Sequence, residues 1–300
     1  MTTTLSRHST EPTAPPARPA PRRRRVFTAE RRPGKLTYLS LLALAFFAAL
    51  PLYWMLVVGS HDNGVLGQVP PPLGLGGNLM ANLERAFGTV PFFKALTNSF
   101  LVSSAITLSV VLFSTLAGFA FAKLTFKGRN AMLLIIIATM MIPNQLGVIP
   151  LYMLMAKIEW TGQIYAVIVP AMVNAFGVFF MTQYLSEAVP TELLEAARAD
   201  GCTTLRIFWH VVLPAAKPAA SVLGMLTFMT AWNDFFWPLV VLTPEDPTVQ
   251  TALSTLASGY VADFSLTLTG AFVATVPLLL VFIGLGRQII GGIMQGAVKG

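Results

Sequence analysis

Charge is what this sequence has least of. Of its 300 residues, 11% are Asp, Glu, Lys or Arg and 55% are hydrophobic, with a mean hydropathy of +0.68. A soluble domain carries roughly 25% charged residues, so a soluble fold is excluded and the chain reads as an integral membrane protein. Cysteine is nearly absent as well: Cys202 stands alone, which excludes an intramolecular disulfide. The three histidines, His8, His61 and His210, are far apart and form no ligand pattern, so the Cys/His clusters of a zinc site are missing. There is no GxxxxGK(S/T) loop, so any ATP chemistry must sit on another chain. No group of Ser, His and carboxylates inside the apolar runs could carry an intramembrane reaction. The chain is read as a non-enzyme with no cofactor and no metal.

What is present is a set of long apolar runs: 36–60, 95–122, 131–156, 160–186, 219–242 and 264–286. Each is long enough for a helix of about 20 residues across a bilayer. The expected fold is therefore all-α, with six transmembrane helices over 36–300. Residues 1–35 are rich in Ser, Thr, Pro, Ala and Arg and cannot bury a core, so they read as a disordered basic tail. The first run is too long for the h-region of a secretory signal, about 7–15 residues, and reads as a span.

The net charge of +7 is better read as a topology signal than as affinity for nucleic acid. Nine Lys or Arg lie in the tail up to Lys35, three in 123–130 (Lys123, Lys127, Arg129), three in 187–218 (Arg198, Arg206, Lys217) and two at the C-terminus (Arg287, Lys299). The alternate loops hold only Arg85, Lys94 and Lys157, and 243–263 carries Glu245, Asp246 and Asp263 instead. Cytoplasmic loops are the ones enriched in Lys and Arg. Both termini and the segment 187–218 are thus expected on the cytoplasmic side of the membrane.

Several runs carry interruptions. Pro143 and Pro150 flank Gly147, Pro170 lies in the fourth run and Pro277 in the sixth. Proline removes a helix hydrogen bond, giving either ordinary kinks or backbone that lines a pathway. Small residues at four-residue spacing (Ser114, Gly118 and Ala122; Gly270 and Ala274) would let helices approach closely.

The segment 187–218 is polar among greasy neighbours. It reads as two short helices around a turn. Thr191 is the expected N-cap of the first, with Glu192 at the positive helix end and Leu193, Leu194 and Ala197 on its apolar face. Gly201 suits a left-handed helix end. The second places Leu205, Phe208, Trp209 and Val212 on one stripe and is expected to stop at Pro214 and Pro218. Such a stripe either packs on the chain's own helix ends or enters a groove on a partner.

This segment resembles the EAA loop of permease subunits of bacterial ATP-binding cassette importers: E-A-A, three residues, G, nine residues, I, one residue, L-P. The matching positions are Glu195, Ala196, Ala197, Gly201, Leu213 and Pro214, with Val211 in place of isoleucine; Asp200 also matches. The pieces TNSFLVS at 97–103, 116–150 and AWNDFFWPLVVL at 231–242 are similar to the sugar importers of the maltose-permease type, on the smaller six-span partner. The resemblance implies a helix-turn-helix coupling loop that docks on an ATPase, with Phe208 on its stripe. It also implies a second permease subunit in a heterodimer, two ATP-binding subunits, and an extracellular or periplasmic sugar-binding protein. A sugar or oligosaccharide is the implied cargo, with a sugar phosphate or glycerol phosphate as the alternative. An ion-coupled secondary transporter would need ion sites near the midplane, and only Asp234 lies inside a run.

Candidate residues for the substrate path are Asn144, Gln145, Asn174, Trp232, Asn233, Asp234 and Trp237. An acid inside a span needs a partner, so Asp234 either holds a structural contact, to backbone or to Arg85 or Lys94, or meets a sugar hydroxyl. The tryptophans either stack on sugar rings or sit at the interface. Cys202 reads as a small residue after the turn, and His210 as surface.

Overall fold

The computed structural model describes residues 34–258 and 262–297. Expectations for the tail before residue 34 lie outside them. The described chain is built of α1 (Lys35–Gly59), α2 (Leu79–Thr89), α3 (Phe92–Lys123), α4 (Arg129–Thr139), α5 (Val148–Lys157), α6 (Tyr165–Ala171), α7 (Ala175–Ala188), α8 (Thr191–Ala199), α9 (Thr204–Ile207), α10 (Leu213–Trp232), α11 (Phe236–Val241), α12 (Val249–Ala257) and α13 (Phe264–Ala297). Among the described residues no strand occurs. The described chain divides into two units between Ala48 and Ala49.

Four continuous helices are long and apolar enough to cross a membrane: Lys35–Gly59, Phe92–Lys123, Thr204–Trp232 and Phe264–Gly284. The third and fourth runs are bent pairs, Arg129–Thr139 with Asn144–Lys157 at 90° and Tyr165–Ala171 with Ala175–Ala188 at 41°. Counting each pair as one span gives six. The first break follows from Pro143, which has no N–H to continue the ladder of α4. At the second, Asn174 leaves the helix with extended backbone, and its side chain accepts the Gly177 N–H at 2.6 Å to start α7.

The expected small-residue seams are real. A Cβ on Gly118 of α3 would stand 2.7 Å from Met181 Cβ in α7, and one on Gly270 would stand 3.0 Å from Leu253 and Leu256. One core cluster gathers Val102, Ile106, Met181, Leu185, Phe208, Val212 and Leu223 from α3, α7 and the α9–α10 helix. A second joins Phe92, Phe228, Trp232, Val249 and Leu266 from α3, α10, α12 and α13.

The loops after α1 are tied by backbone and charge. The Asn82 amide donates to Gly59 and His61 carbonyls, both at 2.9 Å, and Thr269 Oγ1 donates to Gly59 O at 3.0 Å. Arg85 pairs with Asp263, and Lys94 with Asp246 at 2.6 Å. The two cations suggested as partners of Asp234 are therefore engaged elsewhere.

Candidate functional site: the helical pair at 191–213

The pair begins one residue earlier than its capping pattern suggests. Pro190 occupies the N-cap position and Thr191 is the first helical residue, with no side-chain cap. Proline's fixed φ and missing N–H suit this boundary, where the donor would go unused. The helix ends at Gly201, whose φ is +78°. Its N–H donates to Arg198 O and that of Cys202 to Ala197 O, both at 2.9 Å. This is a Schellman end, which satisfies the last carbonyls and needs a left-handed residue where only glycine is free of strain. Thr203 then caps α9 by accepting the Arg206 N–H at 3.4 Å. Thr203, three residues ahead of its donor, is the sequence signal for this cap.

The second helix does not stop at Pro214 or Pro218. Thr204 to Trp232 is one helix, joined through a π-helical turn at Phe208–Val212. Pro214 follows this turn directly, in the first turn of α10, and Pro218 lies inside α10, so the proline signal for a helix end fails here.

The expected stripe divides in two. Phe208 and Val212 are buried, with Phe208 1% exposed and its ring 6.1 Å from that of Phe119 in α3. Leu205 is 62% exposed and Trp209 48%. On α8, Leu194 is buried, Ala197 is half-buried and Leu193 is 53% exposed. A 3.6-residue period cannot say which flank of a wide stripe meets the chain's own core, and that is why the split was illegible. Of the motif residues, Glu195, Ala196, Asp200, Gly201 and Pro214 are exposed and Leu213 is half-buried. The pair is thus fastened from behind by Leu194, Ile207 and Phe208. Leu193, Leu205 and Trp209 remain exposed, with Glu192, Arg206 and other charged residues close by in sequence. An amphipathic helical surface of this kind fits a groove on another protein.

The path candidates do not converge. Trp232 is buried, stacked on Phe228, and donates from Nε1 to Ala274 O at 3.2 Å. Trp237 donates to Ala166 O at 3.1 Å. Asn233 ends α10, donates to Met229 O at 2.8 Å and accepts from Gln250 at 3.3 Å. Asp234 is half-buried at the break between α10 and α11, where its own N–H donates to Ala231 O at 3.4 Å. Asn174 is the α7 cap described above. Asn144 and Gln145, at the 90° break, are exposed, and their side chains bond to no described residue.

The sequence matches the family profile of binding-protein-dependent transport system inner membrane components over residues 111–293. It is 32% identical to the lactose transport system permease protein of Rhizobium radiobacter, over 91% of this chain and 99% of that one. It is 39% identical to the arabinooligosaccharides transport system permease protein of Halalkalibacterium halodurans, over 68% and 73%. The sn-glycerol-3-phosphate transport system permease protein of Pectobacterium atrosepticum is 30% identical over 85% and 94%. A crystal structure of a bacterial ABC transporter involved in import of the polysaccharide alginate has a chain of the same fold. Its TM-score is 0.69 at 22% identity, covering 84% of this chain and 95% of that one. The curated relatives are transport permeases and not enzymes. The chain therefore belongs to the binding-protein-dependent transport system inner membrane component family, as a transmembrane permease subunit of an ATP-binding cassette importer.

Proposed function

We propose that the helical pair at 191–213 faces the cytoplasm and docks on a separate ATP-binding subunit, which hydrolyses the ATP that drives import. The observation that carries this reading is the exposed trio Leu193, Leu205 and Trp209 on a Gly201-hinged pair anchored from behind. The Lys and Arg bias supports a cytoplasmic position for the pair and for both termini. Glu195, Ala196, Ala197, Asp200 and Gly201 shape the pair. Leu213 and Pro214 join it to α10, and Phe208 acts from inside and makes no contact with the partner. Two ATP-binding subunits, a second permease subunit and an external binding protein complete the assembly, in keeping with the family's binding-protein dependence.

The cargo in this reading is a sugar or oligosaccharide, supported by the names of the lactose and arabinooligosaccharide relatives. Glycerol phosphate is the second reading, favoured by the glycerol-phosphate permease at 30% identity. Asn144 and Gln145 remain as path residues, because amides free of internal bonds can meet hydroxyls. Asn174, Trp232, Asn233 and Trp237 support the path through contacts within the chain, and Asp234 sits beside them at the break after α10.

The test is uptake and subunit recovery in the complete complex, with Glu195→Lys and Gly201→Pro. Both variants are expected to keep the spans inserted while losing the ATP-binding subunit or its coupled uptake. Normal recovery and uptake in both contradict the docking reading. Competition of uptake by oligosaccharides against glycerol phosphate decides between the two cargoes.

A further inference from the structure

Two prolines within one helical stretch, Pro214 and Pro218, leave the helix from Thr204 to Trp232 continuous. At Phe208–Val212 the turn is π-helical, and the Leu213 N–H reaches back five residues to the Phe208 carbonyl. Neither proline has an N–H to donate to the turn before it. The rod between Trp209 and Pro218 therefore lacks axial bonds that an α-helix would have. Bends in helices concentrate at such places, at prolines and at π turns.

The two sides of this stretch differ. Phe208, Val212, Ala216 and Ala219 are buried in the first core cluster. Tyr184 of α7 donates to the Ala215 carbonyl at 3.4 Å, close to the buried side. Trp209, His210, Pro214 and Lys217 are exposed. One side is fastened and the other has give, as in a hinge with a fixed pin.

We propose that the π turn Phe208–Val212 is the joint at which the docking pair swings against α10, with Phe208 and Val212 as its buried pivot. This rests on the reading of 191–213 as the ATPase-docking surface and adds how force leaves it. Displacement of Leu205 and Trp209 by the partner bends the rod at the joint. α10 packs against α3, α7 and α13, so its tilt is felt in both core clusters. Phe208 and Val212 are thus positioning residues that touch neither partner nor cargo.

A π turn is an α turn with one residue inserted, so deleting the exposed His210 removes the joint and keeps both flanking faces in register. The experiment measures solute imported per ATP hydrolysed by the complete reconstituted complex, with recovery of the ATP-binding subunit as control. The His210 deletion is expected to keep the subunit and lower the ratio about tenfold, within the usual span of coupling between sites. Pro214→Ala combined with Pro218→Ala restores both donors in a full-length helix and is expected to lower the ratio in the same direction. A normal ratio in the double variant overturns the joint, even where the deletion chain does not insert. A normal ratio in an inserted deletion variant overturns it equally. An unmutated complex that holds no ATP-binding subunit overturns the docking reading and the joint with it, a result distinct from a normal ratio in a variant.

Discussion

Gly118 in α3 lies against the backbone of Met181 in α7, so close that a Cβ would stand 2.7 Å from Met181 Cβ and 2.8 Å from its carbonyl carbon. Both of those atoms are held by helix geometry, so neither can yield as a flexible side-chain end would. Gly118→Ala is expected to destabilise the protein by about 1–3 kcal/mol, the cost of overpacking a closed seam. Thermal unfolding of the purified protein in detergent checks this. Gly224→Ala is the control, because its nearest neighbours stand 3.5 and 3.6 Å away and are methyl groups; its unfolding temperature is expected to move far less.

The ion pair of Arg85 with Asp263 joins the α2 helix to the start of α13. Arg85 is half-exposed, so the pair is worth at most about 1 kcal/mol. A double-mutant cycle with Arg85→Ala and Asp263→Ala is expected to return a coupling energy in that range that shrinks in high salt. Asp263 also accepts the Leu266 N–H at 2.9 Å. The Asp263 variant alone is therefore expected to cost more than the Arg85 variant.

Trp232→Phe removes the Nε1 donor to Ala274 and keeps the ring stacked near Phe228. A loss of about 1 kcal/mol in stability is expected, typical of one buried hydrogen bond. If Trp232 acts only between helices, the concentration of cargo giving half-maximal uptake stays unchanged. A shift in that concentration without loss of stability would return Trp232 to the cargo path.

The spans were legible because few side chains other than apolar ones survive in lipid, and the runs show this directly. Pro143 announced a break that the structure contains. Pro214 and Pro218 announced one that it does not, because a π turn hides in local sequence and depends on the packing of Phe208 and Val212. Gly201 was legible from its place after a short amphipathic helix. The inward turn of Phe208 and the outward turn of Trp209 were not, since adjacent stripe positions differ only by which neighbour fills the space. Asn174, Trp232 and Asp234 stood out as polar groups in greasy surroundings. The Asn174 side chain caps its own helix through the Gly177 N–H, three residues on, whereas the partner of Trp232 is the Ala274 carbonyl 42 positions away, which only tertiary packing sets.

The docking of 191–213 on an ATP-binding subunit is tested most directly by site-specific photo-crosslinking in the complete complex. A photoreactive residue is placed in turn at Leu205, Trp209 and Phe208. The account predicts adducts to the ATP-binding subunit from Leu205 and Trp209, and none from Phe208, which is 1% exposed within its own chain. Adducts from Phe208, or none from Leu205 and Trp209 in an assembled complex, would contradict it.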